Sequence, residues 1–365
     1  MSVYLHEEVV VEILKRLPVK SVLKFKCVCR SWYALITNPN FISLHLAHAA
    51  ESNTTFSLVM KYKQLDSKKP EFVLHSDNDS FSEYRQLDLH SFNECGNDVW
   101  IVGSCDGLIC LCDTKFKRLI VWNPAIGEFI TTSLSTICNG PYHILGIGFD
   151  RKNNSYKVMR IVFAWNDTTF LPFAEIFQLS SNSWKTVPIK NLRYDFYGSL
   201  IEWNGVFHRF ADTHDGRKKM IASFDLSNEV FQEMMLPHAL ATIDNCYLSL
   251  TVYSRSLAAI HYEDRIRNTC NLTCSIWVMK EYGEAESWTK QVTVDFKDHG
   301  GLKPVLSFQG NGGILVENRD DELASYDPET QRVTPLGVSG RVLDDYSYVE
   351  SLVLVKGKRN KNNQG

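Results

Sequence analysis

The first forty residues carry the hydrophobic pattern of short helices. Between positions 9 and 17, apolar side chains recur at the i, i+3, i+4 and i+7 spacing of an amphipathic helix. Glu7 and Glu8 place negative charge at the predicted start of this helix, and Lys15 and Arg16 place positive charge at its predicted end. Charges in these positions interact favourably with the helix dipole, so the pattern favours a helix over a strand.

Pro18 separates this helix from the next one. A residue before proline is disfavoured in the α conformation, so Leu17 marks a turn, whereas Pro18 suits the first turn of a second helix over residues 19–25. A third helix is predicted over residues 28–36, and Asn38-Pro39 ends it. Three helices of this size cannot bury all their apolar side chains against one another, so part of this surface is expected to need a partner.

After a small, polar junction at residues 49–55, the period of the pattern changes from helical to extended. Short apolar runs alternate with polar turns, as in 99–103 and 108–111 on either side of Asp106-Gly107. Asn204-Gly205 separates two further runs in the same way. Because glycine supplies the positive φ that a tight turn demands, both places are predicted to be β-hairpins.

A strand–turn–strand pattern recurs through the body with a period near fifty residues. Its anchor residues, spaced 55, 47, 55 and 47 residues apart, are Asn123, Gln178, Asp225, Lys280 and Asp327. Such a period built from short strands is typical of β-propeller blades of the kelch length, and the chain beyond residue 55 has room for about six of them. A twisted β-sandwich is the alternative architecture, and it explains the period less well.

The C-terminal apolar run at residues 348–355 predicts a strand that pairs near residues 56–60 and closes the propeller, which would otherwise leave two exposed sheet edges. The last segment, 356–365, is basic and low in complexity, and it is expected to be a disordered tail.

The N-terminal segment resembles the F-box family. The core of the match is Leu17-Pro18-Val19-Lys20-Ser21, followed by Phe25-Lys26-Cys27-Val28-Cys29 and Ser31-Trp32. The family usually has a Leu-Pro pair at the start of the first helix, where this chain has Leu5-His6. The resemblance implies that residues 1–48 form a three-helix F-box that docks on a Skp-type adaptor and, through it, on a cullin. The alternative is a helical cap that packs on the body and binds no partner.

The apolar residues of this segment are the candidate adaptor-binding residues, and some of them are expected to pack inside the helical unit instead. They are Val9, Ile13, Leu14, Leu17, Pro18, Val19, Val22, Leu23 and Trp32.

The body, residues 56–355, is similar to the F-box-associated domain of plant F-box proteins. The fragments that carry the resemblance are Gly103-Ser104-Cys105-Asp106-Gly107-Leu108, Trp122-Asn123-Pro124, Gly146-Ile147-Gly148-Phe149-Asp150, Tyr156-Lys157-Val158, Ser223-Phe224-Asp225-Leu226, Ile276-Trp277-Val278-Met279-Lys280-Glu281-Tyr282-Gly283 and Tyr326-Asp327-Pro328. The ending, Glu286-Ser287-Trp288 with Tyr348-Val349-Glu350-Ser351-Leu352-Val353, is most similar to S-locus F-box and S-locus F-box-like proteins. That similarity implies expression in pollen and recognition of a pistil ribonuclease in gametophytic self-incompatibility.

Composition and charge agree with a soluble two-part protein. Of 365 residues, 44% are hydrophobic and 22% are charged, which is typical of globular chains. The net charge is −3, made of +3 in residues 1–50 (six basic against three acidic) and −6 in the remainder (33 basic against 39 acidic). A basic helical part suits an acidic adaptor, and an acidic body suits a basic target such as a ribonuclease.

Several features indicate an intracellular chain. Acidic residues interrupt the N-terminal apolar run that a signal peptide requires, and no window approaches eighteen apolar residues. The ten cysteines lack the spacing of a metal site, so free thiols in a reducing compartment are predicted. The predicted location is the cytoplasm, with the nucleus as an alternative because of the basic tail.

Catalytic motifs are absent from the sequence: there is no G-x-S-x-G, no P-loop and no H-E-x-x-H. Asp212-Thr213-His214-Asp215 is interpreted as a solvated turn, and Arg217-Lys218-Lys219 is too small a basic cluster to predict nucleic-acid binding. We therefore expect a non-catalytic chain with no cofactor, no metal, no nucleic acid and no membrane contact.

The predicted fold class is α+β multidomain, with a small three-helix F-box followed by a large all-β propeller. The predicted function is substrate recognition in a Skp-cullin-F-box ubiquitin ligase, and a propeller scaffold that delivers no substrate is the alternative. For the target surface, Tyr194-Asp195-Phe196-Tyr197 places aromatic rings beside a carboxylate, a composition suited to an interface hot spot. The alternative is that these rings fill the core between blades.

Overall fold

The structure is a computed structural model, and its description covers most of the chain. The described residues are 6–51, 55–61, 71–78, 80–88, 99–113, 117–134, 142–166, 169–189, 194–213, 216, 218–244, 248–263, 273–296 and 302–355. They divide into two compact units, one made of residues 1–134 with 342–365 and the other of residues 135–341. The predicted tail at 356–365 lies outside the described residues.

The first unit begins with four helices. They are α1 (Glu7–Leu14), α2 (Val19–Phe25), α3 (Arg30–Ile36) and α4 (Pro39–Glu51). The three predicted helices are present, and Pro18 is the N-cap of α2 with extended backbone angles, as a proline before a helix requires. The third helix ends before Asn38-Pro39, as predicted, and Pro39 starts a fourth helix that was not predicted, because its fixed φ suits a first helical turn.

Two four-stranded antiparallel sheets complete this unit. Sheet A has the order β24-β1-β2-β3, and sheet B has the order β4-β5-β6-β7. Their strands are β1 (Thr55–Lys61), β2 (Glu71–Ser76), β3 (Glu83–Gln86), β4 (Val99–Cys105), β5 (Leu108–Asp113), β6 (Arg118–Asn123), β7 (Glu128–Ser133) and β24 (Val342–Val349).

The second unit holds four more sheets, each a meander of four consecutive strands. Sheet C contains β8 to β11, sheet D β12 to β15, sheet E β16 to β19 and sheet F β20 to β23. The strands are β8 (Tyr142–Asp150), β9 (Ser155–Asn166), β10 (Thr169–Gln178), β11 (Ser183–Val187), β12 (Tyr194–Trp203), β13 (Val206–Thr213), β14 (Lys219–Asp225), β15 (Val230–Met235), β16 (Leu248–Tyr253), β17 (Ser256–Tyr262), β18 (Thr273–Met279), β19 (Trp288–Asp295), β20 (Ser307–Phe308), β21 (Ile314–Glu317), β22 (Glu322–Asp327) and β23 (Arg332–Ser339). A short helix, α5 (His238–Ala241), follows sheet D.

The five anchor residues of the sequence period lie at the end of the third strand of sheets B, C, D and F, or directly after it in sheet E. Asn123, Asp225 and Asp327 are the last residues of β6, β14 and β22. Each side chain accepts a hydrogen bond from the backbone N–H two residues later, at 3.0, 2.7 and 2.9 Å respectively. This side chain–backbone bond shapes the turn to the fourth strand, and so a polar residue recurs there.

The last strand of the chain completes the first sheet, as the C-terminal run predicted. β24 pairs with β1 in antiparallel register, with Tyr348 opposite Phe56 and Tyr346 opposite Leu58. The strand covers residues 342–349, so it begins and ends earlier than the predicted 348–355. Residues 351–355 leave the ladder and pack instead, with Leu352 only 1% exposed.

Gly107 allows the turn between β4 and β5 to approach this C-terminal segment. Asp106 and Gly107 have φ values of +51° and +80°, the left-handed pair that a tight hairpin turn needs, so the predicted hairpin is confirmed. A Cβ atom on Gly107 would lie 2.6 Å from the carbonyl oxygen of Val349. No other residue fits this position without displacing the end of β24.

Hydrophobic clusters fill the space between consecutive sheets within each unit. One cluster joins sheets A and B, and in the second unit separate clusters join sheets C and D, D and E, and E and F. A further cluster forms the helical core, which includes Leu352 and is packed against Ala125 and Ile126 of the β6–β7 turn. The helices are therefore attached to sheet B and to the C-terminal segment.

Two buried cations of the second unit, Lys157 and Arg160, are matched by carboxylates. Lys157 Nζ lies 2.7 Å from Asp150 and 3.1 Å from Glu229, and Arg160 lies 2.6 Å from Glu175. Burial alone would raise the pKa of Asp150, but hydrogen bonds from Lys157 and Asn153 hold it well below its usual range. Lys157 also donates to the carbonyl oxygen of Leu226, so this network connects sheet C with sheet D.

His208 predicts a measurable pH dependence of stability. Its ring is fully buried, Nε2 lies 2.8 Å from the Tyr282 hydroxyl, and burial lowers its pKa to about 4. The unfolded chain then binds a proton near pH 6.5 that the folded chain takes up only near pH 4, so stability is lost as pH falls through this window. We expect His208 to remove about 2 kcal/mol of unfolding free energy between pH 7 and pH 5.

The measurement is urea denaturation of the full chain and of His208→Gln at both pH values. Burial also lowers the pKa of His45 and His75, so the difference between the two proteins isolates His208. The interpretation is wrong if the variant loses as much stability as the wild type over the same interval.

Candidate functional sites

Helix α1 has one buried and one exposed apolar side. Leu14 is 1% exposed and belongs to the helical core, whereas Val9 and Ile13 are 45% and 48% exposed. Val9 and Ile13 are four residues apart, so they lie next to each other on the same face of the helix. An exposed aliphatic pair on a short helix is the type of surface that a partner covers.

The other candidate residues divide into three groups by exposure. Val19 and Val22 are 2% and 0% exposed and pack inside the helical core, as the sequence analysis expected for some of the set. The side chains of Leu17, Leu23 and Trp32 are half-buried, and the Pro18 ring is exposed.

Three further apolar side chains of the described helical segment, residues 6–51, are exposed, and they were not among the predicted adaptor-binding residues. They are Val28, Tyr33 and Leu44, at 60%, 57% and 49% exposure. Val28 lies in the turn between α2 and α3, and Tyr33 lies on α3 between the inward-facing Trp32 and Ile36. The exposure of Tyr33 could have been predicted from helical spacing. Trp32 and Ile36 define the buried side of α3, and Tyr33 does not lie on that side.

Basic side chains are also exposed on this helical segment. Lys20, Lys24 and Arg30 are exposed. Glu12 on α1 forms ion pairs with Lys15 at 2.7 Å and Arg16 at 3.1 Å, and the hydrogen bond from Lys15 lowers its pKa. The helical segment therefore combines exposed aliphatic side chains with a net charge of +3 in residues 1–50, which suits an acidic partner.

The candidate target-binding residues, 194–197, lie at the start of β12, and their side chains alternate between its two faces. Tyr194 and Phe196 face the same way, with ring centroids 6.2 Å apart, and Phe196 packs against the cluster between sheets C and D. The Tyr194 hydroxyl donates to the Glu233 carboxylate, and burial together with this bond raises the pKa of Tyr194 to about 12.

The opposite face of β12 begins with Asp195 and Tyr197. The Tyr197 ring is stacked on Phe210 at 5.5 Å with an interplanar angle of 10° and packs against the cluster between sheets D and E. Asp195 is exposed. Since the three rings are all engaged within the unit, the geometry favours the packing alternative for this tetrapeptide over the interface hot spot.

Two other polar segments of the sequence are only partly described. His214, Asp215 and Arg217 lie outside the described residues. Lys218 forms an ion pair with Glu233 at 3.0 Å, and Lys219 donates to the carbonyl oxygen of Ile243. Within the described ranges, no group of three or more His, Cys, Asp or Glu side chains could hold a metal ion.

Among the described helices, none is both long enough and apolar enough to cross a membrane. The described cysteines are free thiols: Cys27 and Cys29 are exposed, and Cys105, Cys110, Cys112 and Cys274 are buried.

Comparison with protein families accounts for both parts of the chain. The F-box domain model matches residues 4–44, and the F-box associated beta propeller domain model matches residues 55–356. The chain belongs to the F-box proteins with an F-box associated beta propeller domain. The four helices thus contain the F-box, and the six four-stranded sheets of the described residues are the blades of the propeller.

Curated relatives of this F-box protein come from Arabidopsis thaliana. An F-box/kelch-repeat protein is 28% identical over 299 residues, which cover 79% of this chain and 78% of the relative. A putative F-box protein is 27% identical over 98% of this chain and 87% of its own length. F-box protein CPR1 is 24% identical over 91% of this chain and 84% of its own length.

Solved structures resemble the F-box protein only distantly. A prolyl endopeptidase gives a TM-score of 0.38 at 11% identity, covering 87% of this chain and 56% of its own. A periplasmic gluconolactonase of Pseudomonas aeruginosa gives 0.36 at 10% identity, covering 80% and 82%. Scores this low carry no argument about the fold or the function.

Packing, not target binding, is the role that the structure predicts for Tyr197. We expect Tyr197→Ala to lower the free energy of unfolding by roughly 2–4 kcal/mol, because it removes a ring from between two sheets. Asp195→Ala is the matched control on the same face of β12, and it should change stability by less than about 1 kcal/mol. Urea denaturation measures both. Equal stability of the two variants would contradict this role.

Proposed function

We propose that this F-box protein is the substrate-recognition subunit of a Skp-cullin-F-box ubiquitin ligase. Its F-box docks on a Skp-type adaptor, which connects it to a cullin, and its propeller binds a target protein. The chain supplies proximity rather than chemistry, because holding a target lysine near the conjugating enzyme raises the effective concentration of the reactants. The single observation that carries the proposal is the exposed aliphatic surface on a helical unit of the F-box family.

The exposure of the side chains divides the candidate adaptor residues into two roles. Val9, Ile13 and Pro18 are exposed and contact the adaptor directly, together with the half-buried Leu17, Leu23 and Trp32. Leu14, Val19 and Val22 form the core that holds these residues in place. Trp32 is fixed by a T-shaped contact with Phe25, with ring centroids 5.4 Å apart, which presents its outer edge to the partner.

The target is proposed to be a protein that binds the propeller. The excess of negative charge in residues 51–365, 39 acidic against 33 basic, favours a basic protein. A pistil ribonuclease recognised in self-incompatibility is the specific candidate from the S-locus resemblance. Yet much of that resemblance lies in packing residues, since Trp288, Tyr348, Ser351 and Leu352 are each at most 5% exposed. It therefore describes the fold more than the target surface.

The adaptor surface predicts a loss of binding without a loss of folding. Val9→Glu combined with Ile13→Glu puts two carboxylates into an apolar contact, and we expect adaptor affinity to fall at least 100-fold, about 2.7 kcal/mol. Both positions are about half exposed, so the melting temperature should change by no more than about 2 °C. Val230→Glu, at an exposed valine (48%) of sheet D, is the matched control and should bind normally.

The measurement is calorimetric titration of each full-length protein with a plant Skp-type adaptor. If the double variant binds the adaptor as tightly as the wild type does, Val9 and Ile13 do not belong to the adaptor-binding surface. An experiment in cells distinguishes the scaffold from the substrate receptor. If the protein is a substrate receptor, the wild type lowers the level of at least one bound protein in a proteasome-dependent way, and the double variant does not. A scaffold leaves the levels of its bound proteins unchanged in both cases.

A further inference from the structure

An exposed pair of aromatic rings lies where the turns of sheets D and E meet. Tyr282, in the turn between β18 and β19, is 48% exposed, more than any other aromatic side chain in the described part of the second unit. Its ring contacts the half-buried ring of Trp203 at the end of β12, with ring centroids 5.3 Å apart and an interplanar angle of 41°. Tyrosine and tryptophan are the residue types that most often anchor a protein–protein contact, so this pair is a candidate interaction surface.

The position of the Tyr282 ring is fixed by its own hydroxyl group and by the turn that carries it. The hydroxyl lies 2.8 Å from Nε2 of the fully buried His208. Within the turn, the Ser287 hydroxyl lies 2.9 Å from the carbonyl oxygen of Glu281 and 2.7 Å from that of Glu284. A side chain that is already ordered loses little conformational entropy when a partner covers it, so this exposed ring is suited to binding.

The charges around the two rings are mainly negative. Turns 203–206 and 225–230 lie at one end of sheet D, turns 253–256 and 279–288 lie at one end of sheet E, and the contact between Trp203 and Tyr282 brings these ends together. Four acidic and two basic side chains of these turns form no ion pair within the described ranges, a net charge of −2; they are Asp225, Glu281, Glu284 and Glu286 against Arg255 and Lys280.

The two groups nearest the rings agree with this negative balance. Burial and, after it, the charge of Asp225 raise the pKa of Tyr282 to about 12, so this carboxylate lies close to the ring. Burial lowers the pKa of His208 to about 4, so at neutral pH its ring adds no opposing positive charge.

We propose that the Trp203–Tyr282 ring pair anchors the target protein by receiving a lysine or arginine side chain of a basic target. A cation above the face of a tyrosine or tryptophan ring is attracted by the negative charge of that face, and the nearby carboxylates add to the attraction. Arginine can also stack its planar guanidinium on the ring. The inference rests on the proposed function, because it names the propeller surface and the target chemistry of the same receptor.

The test is titration of the full chain with N-acetylarginine amide and with N-acetylcitrulline amide, followed by saturation-transfer NMR. The citrulline probe has nearly the same shape but a neutral urea group, so the comparison isolates the charge. We expect the arginine probe to bind saturably and to half-saturate at a concentration about fivefold lower than the citrulline probe. Tyr282→Ser removes the exposed ring and should weaken binding of the arginine probe by about fivefold.

Two further variants separate the loss of the site from other effects. Tyr282→Phe keeps the ring and loses the bond to His208, so it should bind the arginine probe within about twofold of the wild type. Tyr84→Ser is the matched control, because Tyr84 is also 48% exposed but lies on β3 in the first unit. The carboxylate beside it, Glu350, already pairs with Arg85 at 3.6 Å, so this variant should bind the probe as the wild type does.

Three results would overturn the proposal. They are no saturable binding of the arginine probe, equal half-saturation by the two probes, and unchanged binding in Tyr282→Ser. Equal half-saturation would show that the ring pair is an apolar contact with no preference for a cation. Failure here differs from failure of the proposed function, because the adaptor titration reports on the F-box alone, and Tyr282→Ser should bind the adaptor as tightly as the wild type.

Discussion

The attachment of the C-terminal segment is the constraint on which the first unit depends. β24 pairs with β1 and completes sheet A, although about 290 residues of chain separate the two strands. Directly after it, the Asn123 side chain of sheet B donates hydrogen bonds to the carbonyl oxygens of Ser351 at 3.1 Å and Val353 at 2.9 Å. Leu352, between them, is buried in the helical core. One short stretch of chain therefore holds sheet A, sheet B and the F-box helices together.

This attachment explains how a small helical unit can keep an exposed apolar surface. Helices of seven or eight residues are marginal by themselves, but Leu352, Ala125 and Ile126 give them a larger core to pack on. Val9 and Ile13 can then stay on the outside, where an adaptor can cover them. Under the proposed function, the same attachment would fix an adaptor bound to the helices relative to sheets A and B, as a receptor that works by proximity requires.

The turn chemistry and the closing strand could be predicted from the sequence, whereas the buried side of the helices could not. The period of the blades could be predicted because Asn123, Asp225 and Asp327 shape the turn after the third strand of sheets B, D and F through their own side chains. Which apolar residues of α1 and α2 are buried could not be predicted, because Leu14 and Ile13 are equally apolar and the choice depends on Leu352, more than 300 residues away.

Hydrogen exchange of the full chain carrying Asn123→Ala tests the attachment most directly. The substitution removes the bonds on both sides of Leu352, each worth roughly 1–3 kcal/mol when lost from a buried carbonyl. The account predicts at least tenfold faster exchange in β24 and also in helices α1 to α4, while sheets D and E keep the protection of the wild type. Unchanged protection of the helices, with faster exchange confined to β24 or to the β6–β7 turn, would contradict the claim that the C-terminal segment holds the F-box in place.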